Sequence, residues 1–246
     1  MIYEAKKQIT YNDIDSNWDV TLTAVLKYMN EATWISGEQL KIGVSQIPKT
    51  GIAFVTQRIA IKVIHLPRLG DEFTIRTWPD GIKRSTFTRK GEFLDQAGQK
   101  LIEWESLWVL FDVNERKIKR PSELEVALPQ HGNLGVEVVT EKIKVPTEVK
   151  DGTAFTHQVQ FSELDTYQHM SNINYGNLLA NVYMINENRS TFMRDGAEIQ
   201  FNYTNEGQLG DEILVTLSEG DHQLFVTGST TNHQVFIATI KQEEVE

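Results

Sequence analysis

Several residue types and patterns are missing from this chain of 246 residues, and each absence excludes a class of protein. The chain contains no cysteine, so disulfides, thiolate metal sites and a cysteine nucleophile are excluded. No apolar run approaches the roughly 20 residues that span a bilayer, and the N-terminal sequence MIYEAKKQIT has no apolar signal core. We therefore expect a soluble, cytoplasmic protein without membrane insertion.

Basic residues are also scarce. The chain has 24 Lys and Arg residues against 34 Asp and Glu residues, and its net charge is −10. Because phosphate contacts need a basic surface, we expect no nucleic-acid partner. The 6 histidines are scattered without an HExxH pair or another ligand spacing, so we expect neither a metal ion nor a cofactor.

The most informative pattern that is present is a repeat. Residues 11–20 read YNDIDSNWDV and residues 161–170 read FSELDTYQHM. An aromatic residue, an aspartate and an apolar residue recur at the same spacing, at Tyr11 and Phe161, Asp15 and Asp165, and Val20 and Met170. Where the second copy has His169, the first has Asp19. The repeat predicts two modules of one design, with a titratable histidine in only one of them.

Hydrophobic periodicity predicts the same order of elements in both modules. A helix over 19–33, with Asp19 able to cap its start, precedes a set of strands, and a helix over 171–190, capped by Ser171 or Asn172, precedes another set. The apolar stripe predicted for the first helix is Leu22, Val25 or Leu26, Met29 and Ala32, and that for the second is Ile173, Leu178, Val182 and Ile185. The predicted strands cover residues 54–66, 72–78, 85–94 and 101–111, then 154–161, 197–204, 211–218, 222–229 and 233–241. Turns are predicted at Pro79-Asp80-Gly81 and at the recurring pairs Gly70-Asp71 and Gly210-Asp211.

One long helix against an antiparallel sheet whose strands follow it in sequence is an α+β arrangement. We predict two tandem hotdog domains, each an antiparallel sheet wrapped around a long central helix. The N-terminal domain covers residues 1–130, a linker covers 131–152, and the C-terminal domain covers 153–246. Two such units in one chain can pair their sheets as the covalent equivalent of a dimer. Association of two chains into a homodimer is left open.

Longer stretches resemble a known family. In the first half these are WISGEQLKIGVSQIPKTGIAFVTQRIAIKVIHLPRLGDEFTIRTW, the basic turn GIKRSTFTRK, LWVLFD and RKIKRPSE. In the second half, LDTYQHMSNINY is similar to the pattern Asp-x-Asn-x-His-Val-Asn-Asn-x-x-Tyr. Together they resemble the acyl-acyl carrier protein thioesterases of plants and bacteria, which are tandem hotdog proteins. The chain departs from the family at Tyr167, where the pattern has Asn, and it has no Cys after the candidate catalytic Glu.

The resemblance implies that the C-terminal module is catalytic and that the N-terminal module forms most of the acyl pocket. Thioester hydrolysis needs a positioned water, a base and donors for the oxyanion. The implied catalytic residues are Asp165, His169 and Glu206, with the first N–H groups of the second helix, near Ser171 and Asn172, as oxyanion donors. The implied substrate-binding residues are Tyr167, Asn172 and Trp34.

Each of these residues also has a structural interpretation. Asp165 recurs as Asp15 in the module without the histidine, so a turn-forming role is as well supported as a catalytic one. His169 taken alone is typical of a structural histidine, Glu206 alone is typical of a solvated turn, and Trp34 is first of all a core residue.

Two basic clusters stand out against the acidic total: Lys83-Arg84 with Arg89-Lys90, and Arg116-Lys117 with Lys119-Arg120. Such clusters are usually solvated. The resemblance implies an acyl carrier protein as partner, and because acyl carrier proteins are acidic, one cluster is a candidate docking surface. The candidate docking residues are Lys83, Arg84, Arg116, Lys117, Lys119 and Arg120.

The function that the sequence favours is hydrolysis of carrier-bound fatty acyl thioesters to free fatty acids. Two alternatives stay open. One is a thioesterase that acts on acyl-CoA, and the other is a non-catalytic hotdog protein that binds acyl thioesters, which the replacement at Tyr167 favours.

Overall fold

The elements of both modules appear in the computed structural model, which describes residues 1–131, 134–146, 150–185, 191–220 and 222–242, without the side chains of 150, 151 and 242. The helices are α1 (Leu22–Gln39), α2 (Ile47–Thr50) and α3 (Asn174–Met184). The strands of the first half are β1 (Tyr3–Gln8), β2 (Ile52–Val63), β3 (Glu72–Lys83), β4 (Thr86–Leu94), β5 (Lys100–Asp112) and β6 (Lys117–Lys119). Those of the second half are β7 (Lys150–Gln158), β8 (Ala197–Tyr203), β9 (Glu212–Glu219), β10 (Leu224–Ser229) and β11 (Gln234–Gln242).

The strands form one antiparallel sheet that runs through both halves. Its order is β1-β3-β4-β5-β2-β8-β11-β10-β9-β7, and β6 pairs with β5. The halves join where residues 58–62 of β2 pair with residues 198–202 of β8. Because this junction pairs one strand from each half, neither half leaves an open sheet edge there. The predicted antiparallel α+β fold, with the two sheets paired within one chain, is confirmed.

The helices α1 and α3 contact each other and pack on the sheet. Their close approach depends on Gly176, where an added Cβ would lie 3.1 Å from atoms of both Leu26 and Thr23. Two hydrogen bonds cross the helix interface, from Thr23 Oγ1 to the Asn177 side chain at 2.5 Å and from Asn30 Nδ2 to Asn172 Oδ1 at 2.7 Å. The two halves therefore share one core as well as one sheet.

The predicted apolar stripe of α1 is confirmed, since all its members are buried: Leu22, Val25, Leu26, Met29 and Ala32. In α3, Leu178 and Val182 are buried as predicted, but Ile185 is 49% exposed, so that part of the prediction is wrong. The helix ends also differ from the prediction. The N-cap of α1 is Thr21, whose side chain accepts from the Ala24 N–H at 3.1 Å, and not Asp19.

The start of α3 is likewise shifted. Its N-cap is Ile173, which makes no side-chain cap, so the predicted capping by Ser171 or Asn172 is wrong. The predicted final residues of this helix, 186–190, lie outside the described residues.

Three elements were not predicted, and one predicted turn is wrong. The missed elements are β1, α2 and β6. β1 alternates half-buried residues and exposed polar residues at one edge of the sheet and has no apolar run. The predicted turn at Pro79-Asp80-Gly81 is a bulge inside β3, where the pairing with β4 shifts register between Pro79 and Ile82. A proline is tolerated in a strand at such a bulge because no ladder hydrogen bond is lost there.

The repeated motif folds into the same turn twice. Asp15 Oδ1 accepts from the N–H groups of Asn17 at 2.7 Å and Asp19 at 3.2 Å. In the second copy, Asp165 Oδ1 accepts from the N–H groups of Tyr167 at 2.8 Å and His169 at 3.3 Å. The residue just before Asp19 and the residue just before His169 both have a left-handed backbone, with φ 69° at Trp18 and 66° at Gln168.

The Gly-Asp pairs are also equivalent. Gly70 and Gly210 have φ of 91° and 83°, and each donates its N–H to a strand-end carbonyl, of Ile9 and Val159. Glycine adopts this left-handed conformation without the steric cost of a Cβ. Both predicted turns are confirmed.

Residues 134–146 cross the face of the sheet opposite the core. Glu103 Oε1 accepts from the N–H groups of Glu137 at 3.2 Å and Val138 at 3.0 Å. Glu105 Oε1 accepts from the N–H and the hydroxyl of Thr140 at 3.0 and 2.8 Å. The connection between the halves is thus fixed to β5 by two buried carboxylates, while the domain boundaries at 130 and 153 stay predictions. Within the described ranges, no helix is both long and apolar enough to cross a membrane.

Candidate active site

A cavity of about 890 Å³ lies between the two halves of the chain. The first half contributes residues of α1, β2, β4 and β5, and the second half contributes the turn over residues 165–172 and the end of β8. Much of its wall is apolar, including Ile42, Ile47, Phe54, Phe87, Trp108 and Phe111. A long apolar ligand can bury its surface here.

The predicted pair of His169 and Glu206 meets at this cavity. The His169 Nε2 and Glu206 Oε2 atoms are 2.9 Å apart, and the two side chains are 21% and 42% exposed. Backbone pairing brings them together, because the Met170 N–H donates to the Gly207 carbonyl at 2.8 Å and His169 forms a β-bridge with Gln208. The histidine of the repeated turn and the glutamate after β8 are thereby held side by side.

Glu206 also faces a cation from the other half. Arg116 Nη2 lies 3.5 Å from Glu206 Oε2, and Arg116 occupies a left-handed position, φ 53°, in the turn between β5 and β6. Arg116 was predicted as a carrier-docking residue, but in the structure it lines the cavity. The two charges are of opposite sign, so the contact is attractive.

Asp165 also lines the cavity, but its recorded hydrogen bonds go to the backbone of its own turn. This is the arrangement of Asp15 in the first copy, where no histidine follows. The geometry therefore supports the turn-forming interpretation of Asp165, through which it positions His169.

The predicted oxyanion donors are only partly available. The Ser171 N–H donates to the Glu163 carbonyl at 2.9 Å and is not free, so its predicted role is wrong. The Asn172 N–H has no recorded acceptor among the described residues, and Asn172 lines the cavity while its side chain is held by Asn30 at 2.7 Å. The backbone of Asn172 is the donor that the geometry leaves open.

Tyr167 and Trp34 lie on the cavity wall as well. Tyr167 is 39% exposed, and burial, with the nearby charge of Asp165, raises the pKa of its phenol. Trp34 is 54% exposed on α1, so it is a wall residue and not the core residue that the sequence favoured.

Sequence reasoning missed several polar residues of the cavity, among them Asn30, Tyr175 and Tyr203. The Gly207 N–H donates to the buried Tyr175 hydroxyl, and burial raises the pKa of that phenol. The signal for Tyr175 was available, because it is the last residue of the quoted stretch LDTYQHMSNINY. Asn30 lies one helical turn before Trp34 on α1, a spacing that places the two on the same face.

The basic clusters are not equally available for docking. Arg89 is only 6% exposed and Lys90 is paired with Asp80 and Glu105, so the surface role suggested for these two residues is wrong. Lys119 lies within 4 Å of three carboxylates, at 3.4 to 3.8 Å from Asp112, Glu115 and Glu123. Lys83 and Arg84 lie at the hairpin between β3 and β4, and Lys117 is exposed.

Comparison with known proteins agrees with this architecture. Residues 1–127 match the family model of the acyl-ACP thioesterase N-terminal domain. A crystal structure of an acyl-ACP thioesterase from Bacteroides thetaiotaomicron is similar to this chain with a TM-score of 0.75 and 17% identity, over 98% of this chain and 97% of that one. The 12:0-ACP thioesterase from Umbellularia californica has a TM-score of 0.78 and 16% identity, over 98% of this chain and 96% of that one.

No curated protein is similar enough in sequence to count as a match. At identities this low the solved structures establish the fold alone. The family model, however, covers more than half of the chain. The chain therefore belongs to the acyl-ACP thioesterase family and is a thioester hydrolase with the tandem hotdog fold.

Proposed function

We propose that this protein hydrolyses the thioester of a fatty acyl group on an acyl carrier protein, using His169 and Glu206 at the mouth of the cavity. The observation that carries the proposal is the 2.9 Å contact between these two side chains at a largely apolar cavity shared by both halves. The apolar wall accepts the acyl chain, and the polar end accepts the thioester.

The geometry suggests a role for each group. His169 Nε2–H donates to Glu206 Oε2, which fixes the carboxylate and leaves Oε1 to accept a proton from water. That water attacks the thioester carbonyl carbon, and the Asn172 N–H stabilises the oxyanion that forms. The C–S bond then breaks, and the proton held by Glu206 passes to the leaving thiolate. The products are a free fatty acid and the thiol of the carrier.

Asp165 and Arg116 act through their neighbours in this scheme. Asp165 holds the turn that presents His169, and Arg116 places a cation of the first half beside the Glu206 carboxylate. Tyr167, where the family pattern has Asn, lies beside this pair on the cavity wall. We place its side chain against the arm that carries the thioester.

Release of thiol from acyl carrier protein tests the proposal, and a thiol reagent gives no background from a chain that has no cysteine. The variants His169→Ala and Glu206→Gln should each lower kcat by about 100-fold or more, the range for loss of a general acid or base. His157→Ala is the matched control. His157 Nε2 lies 2.8 Å from Glu163 Oε2 in a second histidine–glutamate pair that does not line the cavity.

Three outcomes separate the proposal from its alternatives. A higher kcat/KM on acyl-CoA than on acyl carrier protein would favour the acyl-CoA enzyme. Tight binding of both thioesters without release of thiol would favour the non-catalytic binder, for which Tyr167 is the supporting residue. Equal loss of activity in His169→Ala and His157→Ala would remove His169 from the mechanism.

The proposal also covers the cellular location and the oligomeric state of the protein. We propose a cytoplasmic location, in keeping with a chain that has no cysteine. A homodimer stays a prediction, which sedimentation measures directly.

A further inference from the structure

Arg89 is a buried cation in the wall of the cavity. It lies on β4, is 6% exposed and lines the cavity. Its Nη1 atom donates to the hydroxyls of Ser36 at 3.1 Å and Thr77 at 3.3 Å. Among the described residues no carboxylate lies within ion-pair distance of the guanidinium, and Nε and Nη2 have no acceptor.

The charge itself is retained. Burial lowers the pKa of Arg89 to about 10, so the guanidinium is still protonated at neutral pH. A buried charge without a counter-ion is costly unless water or a ligand supplies the missing hydrogen bonds. The protein therefore leaves N–H groups of Arg89 without acceptors, and water or a ligand in the cavity must supply them.

Arg89 lines a part of the cavity that is three strands away from β8. Ser36 and Thr77, its two partners, do not line the cavity, so they lie behind the Arg89 side chain, which forms part of the wall. Ser36 follows Asn30, the partner of Asn172, by about 9 Å along α1. Across the sheet, Arg89 is paired through Ser106 and Ile59 to Phe201, so it lies about 14 Å from β8.

We propose that Arg89 is a specificity-determining residue that sets the maximum length of the acyl chain. This inference rests on the proposed function, because it takes the cavity as the site of the acyl group. A chain that ends short of Arg89 leaves room for water on the free N–H groups. A longer chain drives that water out and places a methyl group against an unsatisfied guanidinium, which lowers kcat/KM.

The guanidinium of Arg89 should also distinguish long acyl chains by the polarity of their terminal group. An acyl chain long enough to reach Arg89 that ends in a hydroxyl supplies a hydrogen-bond acceptor to the guanidinium, which a terminal methyl group cannot. Such a chain should be hydrolysed faster than the unmodified chain of equal length. A purely steric end wall would reject both, so the terminal hydroxyl separates charge and hydrogen bonding from bulk.

The experiment measures kcat/KM for saturated acyl groups of increasing length on acyl carrier protein, with wild type, Arg89→Met and Arg89→Lys. Methionine has a similar reach without charge, so Arg89→Met should shift the preferred length upward. The kcat/KM for the longest substrates should rise by about tenfold to a hundredfold relative to that for the shorter ones. Arg89→Lys should keep the wild-type preference. Lys6→Met, at an exposed position on the edge strand β1, is the matched control and should leave the length preference unchanged.

In wild type, a terminal hydroxyl should raise kcat/KM on the long substrate, and in Arg89→Met this gain should vanish. An unchanged length profile in a folded Arg89→Met would overturn the proposal. So would the absence of a hydroxyl effect in wild type, a result that stands even where the variant fails to fold. If no thioester is hydrolysed at all, the proposed function fails, and calorimetric binding of free fatty acids of the same lengths still tests Arg89.

Discussion

Replacing Asp165 with alanine removes the acceptor that holds the turn before α3. Its Oδ1 accepts from the N–H groups of Tyr167 at 2.8 Å and His169 at 3.3 Å. Because Asp165 is exposed, we expect the two bonds together to contribute about 1 kcal/mol, the low end of net values for protein hydrogen bonds. A loss of that size lowers the Tm of a chain of this length by roughly 2 to 4 °C.

The first copy of the turn supplies a matched control within the same molecule. Asp15 accepts two equivalent backbone hydrogen bonds, at 2.7 and 3.2 Å, but it does not line the cavity. Asp15→Ala should therefore lose about the same free energy of unfolding and keep full activity. The two losses should add in the double variant, since the turns share no partner.

Asp165→Ala should also lower kcat, because His169 loses the turn that presents it to Glu206. Asp165→Asn keeps an acceptor oxygen and should restore both stability and kcat. Urea unfolding and release of thiol from acyl carrier protein measure the two quantities. If Asp165→Asn were as inactive as Asp165→Ala at normal stability, the carboxylate charge and not the turn would be required, and the argument from the repeat would be wrong.

Two further predictions concern the first half. Burial alone raises the pKa of Asp13, but hydrogen bonds from Thr10 and Tyr28 outweigh it and leave the pKa below its ordinary value. A lowered pKa stabilises the fold above the ordinary carboxyl range, so this stability should be lost as the pH falls through the folded-state pKa of Asp13. Asp13→Asn should remove that part of the acid dependence in denaturation measured at several pH values. For docking, the variants reverse the charge at the basic positions Lys83, Arg84 and Lys117. They should raise KM for the carrier-bound substrate and leave KM for a small thioester unchanged. Equal effects on both substrates would count against docking.

The sequence predicted the fold well because its signals are local and occur twice. The stripe of α1 and the strand alternations after each helix depend on periodicities of side-chain burial, which the folded chain keeps. β1 was missed since its half-buried positions alternate with exposed polar residues and include a lysine, although the predicted strand at 154–161 in the other copy indicated it. The error at Pro79 has a similar origin, because a bulge depends on the pairing strand and not on local sequence.

The site was predicted in part. The residues of the repeated motif and Glu206 could be named because the resemblance aligns them, and the structure brings His169 and Glu206 into contact. The position of Arg89 could not be predicted, since a basic residue in a cluster is usually solvated. Its burial follows from the folded sheet, which brings the Arg89 side chain on β4 within hydrogen-bond distance of Ser36 on α1.

The junction of β2 with β8 makes two copies of one design into a single covalent unit. In a symmetric dimer of identical chains, every substitution appears in both subunits, so a change that improves one site also alters the equivalent site of the other subunit. Fusion removes that constraint. Asp19 and His169 occupy equivalent places in their turns, and each was free to diverge. One copy could thus be given over to holding cargo while the other kept the reactive groups, which predicts a single bound substrate for each polypeptide.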